Sequence, residues 1–209
     1  MTWRDRVSAF VEAGRAAVAL LSTPEVAAAW RAPSVLEGYT VGGLANHLEI
    51  AVGLLPAALD APEPDGPTCR LVEFYAADPP EGFYDAVRAG AERRGHGPED
   101  VAAAMQATVD DAAARLPAED PGRAVPVLLG PGTPARLDDY VSTRIVELVV
   151  HGDDLAASAG IGFEPPTAAA QEVAAVLVDM AMARSGAAAV LRAFTRAERS
   201  DPAVLHVFS

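Results

Sequence analysis

Six residues recur at steps of four, three, four, three and four along one stretch of the chain: Tyr140, Arg144, Glu147, His151, Asp154 and Ser158. That spacing is one stripe of a 3.6-residue helix. The intervening positions, among them Leu137, Val141, Ile145, Val146, Leu148, Val149, Val150 and Leu155, are apolar. Glu147 and His151 stand at i and i+4, one turn apart, so both can reach one ion. A hundred residues upstream, His47 lies between Leu44 and Leu48 on the apolar side of its own helical pattern. Two imidazoles and a carboxylate match the ligand set of a catalytic zinc site with one open position, and equally the facial triad of non-haem iron.

Each feature also has an ordinary explanation. A polar stripe on an apolar helix commonly faces water, and a lone inward histidine is commonly a hydrogen-bonded core residue. Solvated stripes recruit Lys, Glu, Gln and Ala, however, whereas this one carries Tyr, Arg, Glu, His and Asp without a lysine. Two inward polar features on two helices of one bundle fit a shared ion better than two coincidences. Other candidates carry less. His96 sits between Gly95 and Gly97 and reads as an exposed loop residue, and His206 has no companion ligand nearby. Cys69 has Arg70 as its basic neighbour and reads as inert. Gly130-Pro131-Gly132 lacks the lysine and following helix of a phosphate loop, and no G-x-S-x-G elbow occurs.

Composition narrows the partners. The chain has 209 residues, 51% of them hydrophobic, and a formal net charge of −13. One well-buried domain is expected, and both nucleic-acid phosphate and an anionic membrane surface are disfavoured. A single cysteine cannot form an internal disulfide, which points to a reducing compartment. Charged residues at Arg4 and Asp5 stand where a signal peptide needs its apolar core, and no uninterrupted apolar run reaches the ~18 residues of a membrane span. The expectation is a cytoplasmic protein with no nucleic-acid or membrane partner, monomeric or homodimeric.

The elements that must position these residues are helical almost throughout. Thr2 predicts the cap of a first helix, and Thr23-Pro24 that of a short second one. A helix follows over about 40–59, then a loop of roughly twenty residues rich in proline (Pro62, Pro64, Pro67, Pro79, Pro80), suited to a crossover between parallel neighbours. Helical pattern returns over 82–94 and from Pro98 to a stop at Pro117. A short β-like run over 123–129 is interrupted by Pro126 and closed by Gly130-Pro131-Gly132. The helix of the polar stripe spans 137–159, with Gly160 at its stop, and two more helices divide at Gly186. Weak alternation over 203–208 predicts a terminal strand. The expected architecture is all-α: a four-helix bundle over residues 1–164 with a long crossover loop. Residues 165–209 add a helix pair and a short strand packed on the same domain. Trp30 and Phe74-Tyr75 are candidate pocket walls.

The segment from Arg144 to Leu155 resembles the R-x-x-E-x-x-x-H-x-x-D-L motif of the mycothiol-dependent maleylpyruvate isomerase family, and Thr40 to Leu48 resembles its T-V-x-x-L-x-x-H-L. That family lies within the DinB-like superfamily of metal-binding four-helix bundles, and the resemblance covers most of residues 1–200. It implies that His47, Glu147 and His151 hold a divalent metal, zinc first and nickel or iron next. It also implies mycothiol as cosubstrate, its thiol activated by the ion. Arg144, Asp154 and Tyr140 would be catalytic or supporting groups, with Arg144 a candidate substrate anchor and Asp154 a candidate partner for a ligand imidazole.

The implied function is a thiol-using transferase or isomerase acting on a small electrophilic molecule. The alternatives are a hydrolase-type enzyme in which bound water attacks, or a non-catalytic ligand-binding relative. The family's isomerase carries a further C-terminal domain where this chain ends at Ser209, so a transferase or an unknown substrate is expected at least as much as maleylpyruvate isomerisation. Gly42-Gly43, in the first turn before His47, departs from the better helix formers of other members and would loosen that turn or admit a ligand backbone.

Overall fold

Capping chemistry opens the first three helices. The computed structural model describes residues 1–76, 80–128 and 132–208. Thr2 and Asp5 form a capping box at the start of α1 (Trp3–Leu21), with Thr2 Oγ1 accepting from the Asp5 N–H at 3.2 Å. Thr23 caps α2 (Pro24–Ala29), and Thr40 Oγ1 accepts from the Gly43 N–H at 2.9 Å to open α3 (Val41–Asp60). The long connection contains a short helix, α4 (Leu71–Ala76), and leads into α5 (Phe83–Arg94) and α6 (Pro98–Arg115). After the two-residue strands β1 (Ala124–Val125) and β2 (Ala135–Arg136) come α7 (Leu137–Ser158), α8 (Thr167–Ser185) and α9 (Ala187–Thr195).

Four long helices, α1, α3, α6 and α7, make the bundle, and side-chain contacts fix their directions. Trp3 at the start of α1 donates to the Leu116 carbonyl beyond the end of α6 at 3.2 Å, so that pair is antiparallel. Arg115 at the end of α6 meets Asp60 at the end of α3 at 2.7 Å, so those two run parallel. The connection between α3 and α6 is therefore the crossover that its length implied. Along the α3–α7 seam Ala51 faces Arg144 while His47 faces His151, an antiparallel pairing. The core runs through all four helices, from Phe10 and Leu21 through Leu44, Leu48 and Leu55 to Met105, Val109, Ile145 and Leu148, all fully buried. Ala169, Val173 and Val176 of α8 belong to the same cluster. Helix α3 is long and apolar enough to cross a membrane, but 67% of its most apolar window is buried inside the bundle.

Several expectations change. No strand forms over 203–208: Pro202 starts a 3₁₀ turn, Pro202–Leu205, and Asp201 accepts from the Ala203 N–H at 2.9 Å. A proline ring at the first helical position and an aspartate cap favour a turn over a weak alternation. The run after Arg123 is a strand for two residues only, paired antiparallel with the unanticipated β2, Ala124 opposite Arg136. Pro79 and the segment 129–131, which includes Gly130 and Pro131 of the expected closing turn, lie outside the described residues.

Candidate metal centre

His47, Glu147 and His151 converge. Their ligand atoms all lie within 4.8 Å of one another. Glu147 Oε2 is 3.4 Å from His151 Nε2 and 3.8 Å from His47 Nε2. An ion about 2.1 Å from each donor puts tetrahedral ligands about 3.4 Å apart, so the two imidazole–carboxylate spacings already suit one. The three side chains are 18–19% exposed. The cluster is thus neither sealed in the core nor spread on the surface.

The sequence places these groups through helix register. On α3, His47 shares a face with Leu44, Leu48 and Ala51, which drives it inward. On α7 the stripe faces α3 from below Arg144 to Asp154. The helix also packs on α1 and α8, so the stripe is buried at Tyr140 and Arg144 and part-buried from Glu147 onward. Ser158 ends it as a clasp, donating to the Asp154 carbonyl at 2.6 Å and accepting from the Val35 N–H at 3.0 Å.

Protonation is strongly divided across the trio. Burial pushes His47 down to about 4, and the neighbouring His151 adds to that. For His151 burial works the same way, but hydrogen bonds to Asp154 and Glu147 and their charges overcome it, raising the group to about 9. Burial raises Glu147, yet the His151 hydrogen bond and the Arg144 charge outweigh it and hold the carboxyl at about 2. A neutral imidazole and an ionised carboxylate are ready to bind a cation, and a proton on His151 holds the third position. Asp154 Oδ2 lies 3.0 Å from His151 Nδ1, the ring nitrogen turned away from Glu147.

The other expected site residues divide. Arg144 is 4% exposed; its NH1 donates to the Ala51 carbonyl at 2.6 Å, and its Nε donates to Thr143 Oγ1 at 3.0 Å. Its guanidinium carbon stands 4.9 Å from the centre of the Tyr140 ring. So enclosed, it acts on Glu147 as a buried positive charge and is not placed to anchor an incoming anion. Tyr140, 1% exposed, lies in the core beneath it, which removes it from contact with a substrate.

Gly42 and Gly43 admit side chains, not a ligand backbone. A Cβ on Gly42 would fall 2.6 Å from the Trp30 indole nitrogen, and one on Gly43 would collide with the Glu92 carboxylate. Trp30 is therefore packing against the first turn of α3. His96 is half-buried, its Nδ1 accepting from Arg94 Nε at 3.3 Å and its carbonyl facing Asn46. Cys69 is buried, which raises its thiol. His206 is exposed after the terminal turn.

Two aromatic groups were not anticipated in their observed roles. Tyr39, one residue before the α3 cap, tilts over His47 with ring centres 5.6 Å apart, and Arg88 lies 6.0 Å from the same ring. Tyr75, expected as an apolar wall, buries its hydroxyl without a hydrogen-bond partner among the described residues. Neither residue belongs to the stripe, so helical periodicity could not find them. Tyr39 adjoins a recognisable cap, and that adjacency is the one signal available.

The family model of the mycothiol maleylpyruvate isomerase N-terminal domain matches residues 10–156, a span that includes both motifs and the whole trio. No curated protein and no solved structure matches the chain. The chain belongs to that family, whose fold is the metal-binding, DinB-like helical bundle.

Proposed function

From that membership we propose that the protein is a metal-dependent enzyme that uses mycothiol, in transferase or isomerase chemistry on a small electrophilic molecule. One observation carries the reading: the His47–Glu147–His151 cluster, part-exposed between α3 and α7, with Asp154 on the far nitrogen of His151. We assign those three residues as the ligands of a divalent ion, zinc first among the candidates by donor chemistry. An ion bound there supplies an open position at which a thiol loses its proton near neutral pH.

The protein groups prepare that position. Asp154 accepts from the Nδ1–H of His151, which selects the tautomer whose Nε2 lone pair points at the centre. Arg144 keeps Glu147 ionised from within the core. Ala51 and Thr143 hold the guanidinium still, so the carboxylate faces a fixed charge. Tyr39 covers one side of the His47 ring and narrows access for water there. A thiolate formed beside these groups attacks the electrophile; in an isomerase it leaves again after bond rotation, and in a transferase it stays on the product.

Ligand linkage tests the reading. Mycothiol at about a hundred times its dissociation constant raises the thermal midpoint of the zinc-loaded protein by ~5 °C or more and leaves His151→Ala unmoved. Equal behaviour of the two proteins contradicts it.

A further inference from the structure

With Arg144 enclosed in the core, the two sequence motifs bring no accessible arginine or lysine to the metal centre. The chain has no lysine at all, so a permanent side-chain cation there is an arginine. Arg88, on α5 and outside both motifs, is placed to be that group. It meets the centre through residues 33–40, which bridge the end of the bundle. The Val35 N–H donates to Ser158 Oγ at the end of α7 at 3.0 Å, and the Thr40 N–H donates to Glu92 Oε1 on α5 at 2.7 Å. Between these two ties Tyr39 turns its ring over His47, 5.6 Å between centres, and the His47 ring is in turn 5.0 Å from that of His151.

Arg88 stands one turn before Glu92 on the same face of α5, and its guanidinium carbon is 6.0 Å from the centre of the Tyr39 ring. Gly38 makes room for it. Its φ of +83° is one that other residues rarely adopt, and a Cβ there would fall 2.9 Å from Arg88 Cδ and collide with the guanidinium. The arginine is thus built into the rim, one aromatic ring away from the centre. Its existing partner is weak. Among the described residues the guanidinium donates to Asp85 alone, through NH2, and the side chains of Arg88 and Asp85 are 32% and 80% exposed. An exposed i, i+3 pair adds little stability, so a ligand carboxylate can share or displace it. Arg94, on the same helix, is committed instead to the buried Glu49 at 2.8 Å.

We propose that Arg88 binds a carboxylate of the electrophile whose reacting end lies at the His47–Glu147–His151 centre, with Tyr39 as the wall between them. The proposal rests on the function proposed above and names its substrate class, a small electrophile that carries a carboxylate. Two N–H groups of the guanidinium meet the two carboxylate oxygens. That pair fixes the distance of the electrophile from the ion. Arg88 so determines specificity without ligating the ion.

Paired probes read the carboxylate separately from the metal. Cobalt(II)-loaded wild type and Arg88→Gln are titrated at neutral pH with mercaptobutyrate and mercaptohexanoate and with their amides, whose chains are too long to close a tight chelate on the ion. Sulfur-to-cobalt charge-transfer absorption follows these ligands. A thiol-free pair, glutarate monohydroxamate and its amide, is followed by the cobalt d–d bands. The expected wild type binds at least one acid of each head group roughly tenfold more tightly than its amide, and Arg88→Gln loses that preference while its amide constants stay as in wild type. A preference that is the same in Arg88→Gln overturns the proposal, as does a wild type that has none. Equal weakening of acid and amide in the variant also overturns it, because that marks a support for Tyr39 and nothing more. If wild type takes the hydroxamates but no thiol, the thiol reading fails, and the hydroxamate pair decides on Arg88 by itself. A wild type that holds no cobalt overturns both.

Discussion

Helix α7 buries acidic and basic partners in two places, and the two places are built on opposite rules. Near its start, Ser142 donates to Glu172 Oε1 at 2.5 Å, and Arg6 Nε donates to the same oxygen at 2.9 Å. Glu172 is 6% exposed, and this cluster ties α1, α7 and α8 together with its charge matched. Five residues further on, Glu147 has two imidazoles and a buried guanidinium about it and no sealed environment. The first arrangement is complete without a ligand. The second carries groups in mixed protonation states that a cation would resolve. Satisfied polar burial holds helices together, and unsatisfied convergent burial marks a site.

Substitutions can break that contrast at either end. The largest effect expected is on ion binding: Glu147→Ala weakens zinc affinity by about a thousandfold or more in a competition titration against a chelator, since the only anionic ligand is gone. Glu172→Ala does the reverse. It lowers unfolding stability by ~3 kcal/mol in urea, because Arg6 and Ser142 lose their shared acceptor, and leaves zinc affinity unchanged.

Asp154→Asn sharpens the comparison with a smaller step. Loss of the charge behind His151 weakens zinc binding roughly 10–100-fold in the same titration, with little change in folding. A graded effect is set by pH. His151, raised to about 9, must release its proton to the ion, while His47 at about 4 and Glu147 at about 2 are already free of theirs at pH 7. Zinc affinity is therefore full above about pH 9 and falls about tenfold for each unit below it, with about one proton released per ion, readable by calorimetry in buffers of different ionisation heat. The metal-free fold shows the opposite sign. The His151 contribution to stability is present below its unfolded value of 6.5 and is lost as pH rises through about 9.

Much of the bundle was legible because capping and periodicity are local. Thr2, Thr23 and Thr40 marked three helix starts correctly, and the length of the connection after Asp60 signalled a crossover. The trio was legible because an i, i+4 pair and one inward histidine survive as pattern. What failed depended on contacts distant in sequence. Arg144 read equally as a supporting group or a substrate anchor, and only the Ala51 carbonyl, on another helix, favours the first. Gly42 and Gly43 read as looseness, and only the approach of Trp30 and Glu92 explains them. The alternation at 203–208 lacked a partner strand, which no local pattern supplies, and Pro202 decided for a turn.

Metal content tests the central claim most directly. Protein purified without an affinity tag, loaded with zinc and dialysed, is assayed by elemental analysis as wild type, Glu172→Ala and Glu147→Ala. The account predicts one ion per chain in the first two and none in the third. A wild type that cannot be loaded with zinc, nickel or iron, or a Glu147→Ala protein that holds the ion as firmly as wild type, contradicts it.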